Sequence, residues 1–307
     1  MRTHRGARRV TAVIPLAALA VVTAACTETD GARPQSRSTH ASDTTGPPPE
    51  PHSSVPGDSP GTVAIRVDVL GGMVTVDMQA VRLPKVVVYQ DGRVVSRDPM
   101  STVGPGPALP EVQLRRISAA DVRRLVERAV AAGAGGDRDF GQPRITDSSS
   151  TRFTVRTADG VRTTSVYALS EYTHARGGGE LTAGQWSARE ELQRLLDALT
   201  DLPATLGPRA VSDPVPYLPA AVAAFVDPVS IASADAPAWP GPSLPGEPFG
   251  SLTQITCATV RGDQTRELLA AASSAVSTTL WTFDGRQWRV RFRPLLPDET
   301  GCVDLLP

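Results

Sequence analysis

The run Thr62-Val63-Ala64-Ile65-Arg66-Val67-Asp68-Val69-Leu70-Gly71-Gly72-Met73-Val74-Thr75-Val76-Asp77-Met78 sets the material of the folded part. Val63, Ile65, Val67 and Val69 alternate with Ala64, Arg66 and Asp68, the period of a strand with one buried and one wet face. After Gly71-Gly72 the alternation resumes in Val74, Val76 and Met78. A two-residue turn on the glycines sets Val69 opposite Val74, Val67 opposite Val76 and Ile65 opposite Met78. The stretch therefore predicts a β-hairpin with its apolar side chains on one face.

Asp-Gly pairs repeat the device three times. Asp91-Gly92 lies between Val86-Val87-Val88-Tyr89 and Val94-Val95, Asp159-Gly160 between Phe153-Thr154-Val155 and Ser165-Val166-Tyr167, and Asp284-Gly285 between Leu280-Trp281 and Trp288-Arg289-Val290. Amphipathic helices separate them. One opens at Ser118 with Asp121 three residues on, carries Val122, Leu125, Val126, Ala129 and Val130, and stops at Gly133. A second is expected from Ser187, with Glu190, carrying Leu192, Leu195, Leu196 and Leu199, and a third from Asp263 or Thr265, using Leu268, Leu269 and Ala272. Hairpins followed by helices, with no helical crossover between successive strands, predict an α+β fold: an antiparallel hairpin-rich sheet with helices packed on one face.

Composition divides the chain around this body. From Thr27 to Pro60, 21 of 34 residues are Pro, Gly, Ser or Thr, which leaves almost nothing to bury against the entropy of ordering. That segment, 26–61, reads as a tether reaching some 30 Å or more. The α+β domain then covers 62–202. Eleven prolines between Pro203 and Gly250 mark a semi-rigid connector over 203–250, and 251–307 forms a small C-terminal strand-helix-hairpin unit. Cys257 and Cys302 fall in that unit and predict a disulfide that pins the tail to a strand. Two free thiols or a metal pair are the alternatives.

At the other end, Arg2, Arg5, Arg8 and Arg9 precede Val10–Val22, an uncharged run too short to cross hydrocarbon, so residues 1–25 read as an export signal. The run closes on Val22-Thr23-Ala24-Ala25-Cys26, followed by the polar Thr27-Glu28-Thr29-Asp30. This resembles the lipobox of bacterial lipoproteins. The resemblance covers only the first 26 or so residues, with Thr23 where leucine is commonest. It implies that the Cys26 thiol carries a diacylglyceryl group, that the bond between Ala25 and Cys26 is cut, and that acyl chains hold the protein on a membrane. An ordinary cleaved signal is the alternative, and Arg8-Arg9 leaves twin-arginine export open.

Function is less legible. Four of the 31 basic residues sit in the leader, so the remainder carries an acidic excess, the wrong sign for a nucleic-acid binder. Only Lys85 is a lysine, an arginine bias that points to a high-GC, actinobacterium-like host. Of four histidines only His174 belongs to the folded part, so no multi-histidine metal site is implied, no cofactor motif occurs, and no catalytic residue is assigned. Asp137, Asp139 and Asp147 are candidate paired carboxylates for general acid–base work or for a hard cation, with a solvated turn as the other reading. In the last hairpin, Trp281 opposite Trp288 places Val290 and Phe292 on one face and Arg289, Arg291 and Arg293 on the other, a row suited to an anionic polymer, a headgroup or an acidic partner.

The reading that results is a lipid-anchored protein on the outer face of the cytoplasmic membrane, whose body is a non-catalytic binding module for an envelope protein or anionic polymer. An extracytoplasmic hydrolase built around His174 or the Asp137–Asp147 loop, and a solute-binding component of a transporter with two lobes and a cleft, are the alternatives.

Overall fold

The computed structural model describes residues 61–97, 105–174, 180–250 and 255–306. In chain order these form β1 (Val63–Gly71), α1 (Val76–Ala80), β2 (Val86–Tyr89), β3 (Arg93–Arg97), β4 (Val112–Arg116), α2 (Ala119–Ala131), β5 (Ser149–Thr157), β6 (Gly160–Tyr167), α3 (Leu169–His174), α4 (Ala183–Thr200), α5 (Leu202–Leu206), β7 (Val215–Pro216), β8 (Ala221–Pro228), β9 (Glu247–Pro248), β10 (Thr256–Arg261), α6 (Asp263–Ala272), β11 (Leu280–Phe283) and β12 (Arg286–Pro294). The fold is α+β, with two antiparallel sheets. The first has the order β6-β5-β1-β2-β3-β4-β7 and the second β11-β12-β8-β10-β9. No described helix is long and apolar enough to cross a membrane.

The stretch that announces the first sheet does so differently from its expected pairing. β1 is antiparallel to β2 on one side (Val67 opposite Val86) and to β5 on the other (Val67 opposite Phe153), so both its edges are occupied. Residues 74–78 have no edge to join. The chain instead turns at Gly71 and Gly72, both at positive φ, and winds into α1, leaving Met73, Val76 and Met78 at 83%, 54% and 51% exposure. The Gly-Gly hairpin is thus overturned, because β2 and β5 take the two edges of β1 that its second arm would have needed.

The other turns fare better. Asp284-Gly285 joins β11 to β12 with Trp281 opposite Trp288, the expected register. Gln90, Asp91 and Gly92 form a three-residue loop between β2 and β3, with Gly92 at φ 85°. Between β5 and β6 the loop is Ala158-Asp159, one residue earlier than expected, because Gly160 already pairs with Thr157.

Ile65, Val67, Val86, Val88, Phe153 and Val155 on one face of the first sheet pack under Val122, Leu125 and Ala129 of α2 and Leu192, Leu195, Leu196 and Leu199 of α4. Ser118 caps α2 as expected, accepting from Asp121 N at 3.1 Å. α4 starts five residues before the anticipated Ser187. Thr182 and Gln185 form its capping box, each side chain bonded to the other's backbone N–H at 3.2 and 2.8 Å. In the second sheet, Val222, Ala224, Val260 and Phe292 pack under Leu268 and Ala272 of α6.

The sheets meet through their remaining faces. Val87, Tyr89, Val95 and Leu114 cluster with Tyr217 and Leu296, while Ala223, Phe225 and Cys257 cluster with Ala80, Phe249 and Leu295. A helix layer therefore covers each sheet on the outside. The region expected as a connector over 203–250 takes part in this core: β8 lies at the centre of the second sheet, between β12 and β10, with Val222, Ala223, Ala224 and Phe225 fully buried. Prolines bound β8 without interrupting its ladder, which is how a proline-rich composition hides a central strand.

Candidate functional site

The residues singled out in the sequence scatter. Cys26 lies outside the described residues. Cys257, in β10, is bonded to Cys302 with their Cα atoms 6.1 Å apart, tying the tail to the second sheet. His174 closes α3, and its side chain lies outside the described residues. Asp139 is committed locally: it accepts from Gly141 N and from Gln185 Nε2, both at 2.8 Å, and these bonds, that of Gln185 first, hold its carboxyl below the usual range. Asp147 occupies a left-handed turn position at φ 59°. Among the described residues no three His, Cys, Asp or Glu side chains gather as a metal-holding group.

The row Arg289, Arg291 and Arg293 shares one face of β12, as its register demands, but that face is turned toward the first sheet. Only Arg289 is exposed. Arg291 is bonded to Asp77 of α1 and to Asp227 of β8. Arg293, 2% exposed, grips Glu299 with both Nη atoms, at 2.6 and 2.9 Å. Expected as an open anion-binding strip, the row is corrected to a seam in which two of three guanidiniums already hold the chain's own carboxylates.

Arg66 completes that seam from the first sheet. Its Nε reaches Asp68 at 3.0 Å, Nη1 Asp298 at 3.0 Å and Nη2 Glu299 at 2.9 Å, and Tyr89 Oη donates to Asp298 at 2.6 Å. The alternating charges Arg66 and Asp68, which resemble a solvated strand face, are a half-buried and a buried charge, with Arg66 satisfied across the two sheets. Burial pushes the Glu299 carboxyl up, but hydrogen bonding to Arg293 and the charges of Arg293 and Arg66 outweigh it and hold the group below its ordinary value. Burial and Asp298 push the Tyr89 phenol well above its own.

A second constellation escaped the sequence reading. A groove of about 530 Å³ opens where β1 ends, β2 begins, β3 ends and the last turn of α4 approaches. Arg82, Lys85, Arg97 and Arg115 line it together with Ser96 and Thr200, and no acidic side chain does among the described residues. The meander assembles it: Lys85 adjoins Val86, which pairs with Ser96, which pairs with Gln113 on the next strand. Positions far apart in sequence thereby come to rows about 4.8 Å apart. Arg82 is fixed, its Nη1 donating to Val69 O and Gly71 O at 3.1 Å. Arg115 Nη1 donates to Ser212 O at 3.1 Å. Lys85 and Arg97 are exposed, and neither forms an ion pair among the described residues. Only the strand order discloses this cluster. In the sequence, Lys85 as the single lysine is its sole mark.

Comparison with known families, with curated proteins and with solved structures found no match.

Proposed function

We propose that the protein is a membrane-anchored extracytoplasmic lipoprotein, held by acylated Cys26 on the outer face of the cytoplasmic membrane, and that its body is a non-catalytic binding module of the cell envelope. The observation that carries the location is the Cys257–Cys302 disulfide, a bond at home in an oxidising compartment, downstream of a leader that ends in a lipobox-like Ala24-Ala25-Cys26.

The described carboxylates are set up to hold charge. A general acid or base works best with its pKa near the operating pH, and burial is the usual means of raising a carboxyl toward it. Here every described carboxylate with a resolved shift moves the other way. Burial raises Asp77, Asp91 and Glu299, yet hydrogen bonds and neighbouring guanidiniums outweigh it in each. Asp121, Asp139 and Asp304 are lowered first by hydrogen bonds from Ser118, Gln185 and the Thr300 backbone. Asp77, Asp91, Asp121 and Glu299 hold guanidiniums in place, and Asp139 and Asp304 hold backbone and side-chain donors.

Fractionation in the native host tests the anchor. The wild-type chain is expected to stay with membranes through a high-salt wash, and the Cys26→Ser chain to leave them. Equal retention of both would remove the lipid from the account.

A further inference from the structure

We propose that the groove lined by Arg82, Lys85, Arg97 and Arg115 is a binding site for a phosphate group. Four cations converge there without a described counter-charge, whereas the other large concentration of arginine, between the sheets, is neutralised by Asp68, Asp77, Asp227, Asp298 and Glu299. Burial first, and then the like charge of the neighbouring Arg97, push the Arg82 guanidinium below its ordinary value.

The lining selects the ligand. A carboxylate brings one charge and is satisfied by a single bidentate arginine, whereas a phosphate group brings up to two charges and several acceptor oxygens. The groove offers three guanidiniums and one ammonium, supplemented by the Ser96 and Thr200 hydroxyls. Arg82 and Arg115 are already oriented by backbone carbonyls, so they form a fixed floor. Lys85 and Arg97 are the exposed arms that close on the anion. Phosphate can arrive as a free phosphoryl compound or as the headgroup of an anionic lipid, and the groove chemistry is common to both.

This site deepens the binding role proposed above but does not depend on the anchor, since it is read by titration and the anchor by fractionation. The full chain in a neutral detergent is titrated calorimetrically with pyrophosphate and, separately, with dihexanoyl phosphatidylglycerol below its micellar concentration. At least one of the two is expected to bind, with affinity falling as NaCl is raised. Lys85→Gln with Arg97→Gln is expected to weaken that binding by about tenfold or more, while Arg266→Gln, on the exposed surface of α6, leaves it unchanged. Without ligand the double variant melts no lower than the wild type, because it has lost only repulsion. Each single substitution is titrated as well, so the result does not rest on the double variant folding. Binding of pyrophosphate assigns a free phosphoryl ligand, and binding of the lipid alone assigns a headgroup. Failure of both to bind, or equal affinity in the wild type and the substituted chains, overturns the proposal.

Discussion

Glu299 joins three parts of the seam at once: it takes both Nη atoms of Arg293, Nη2 of Arg66 and the backbone N–H of Leu296. Removing it leaves Arg293, 2% exposed, as a buried unpaired charge. Glu299→Ala is therefore expected to cost about 3 to 5 kcal/mol in denaturant unfolding. Protonation has the same sense. Because the carboxyl lies lower in the folded state than its ordinary 4.5, its contribution is present above that value and is lost as the pH falls through the depressed folded value. Stability measured from pH 6 downward should fall in the wild type and fall less steeply in Glu299→Gln. Gly92 is a second sensitive position. It sits at φ 85°, and a Cβ there would lie 2.2 Å from Ile117 O, so Gly92→Ala should destabilise by roughly 2 kcal/mol or more. Gly92 is legible in the sequence as the glycine of the Asp91-Gly92 turn, whereas Glu299 reads as one more acid in a polar tail, with partners 6 and 233 positions away.

Among the elements, the hairpin at Asp284-Gly285 and the helix capped by Ser118 were legible to the residue, because the turn or cap and the apolar period agree there. α4 was legible in its buried leucines but not in its start. Ser187-Glu190 and Thr182-Gln185 both satisfy the capping pattern, and the reciprocal bonds between Thr182 and Gln185 fix the earlier start. The two possibilities separate by mutation: Thr182→Ala should cost about 1 kcal/mol and Ser187→Ala less than about 0.5 kcal/mol in thermal unfolding. The hairpin at Gly71-Gly72 failed for a reason that no local pattern contains. Its second arm competes with β2 and β5 for the edges of β1, and only long-range pairing decides that contest.

For the molecule as a whole, composition concealed more than it disclosed. Eleven prolines made 203–250 look like a connector, although β8 inside it is the strand on which β10 and β12 both depend. The arginine row of β12 was placed on the correct face, yet a single sheet gives no reason to expect a second one over that face. The cationic groove was invisible for the complementary reason, because β2, β3 and β4 bring its residues together only in register. The disulfide that closes the tail joins residues 45 apart, so Cys257→Ser with Cys302→Ser should lose about 4 kcal/mol in urea unfolding.

The central claim is that Cys26 carries lipid outside the cytoplasmic membrane while Cys257 and Cys302 bond to each other. Intact mass spectrometry of the protein extracted from host membranes, with and without reduction, reads both in one measurement. The account predicts a chain that begins at Cys26, carries the mass of at least two acyl chains, and gains two hydrogens on reduction. A chain that retains its leader, or one with three unmodified thiols, would contradict it.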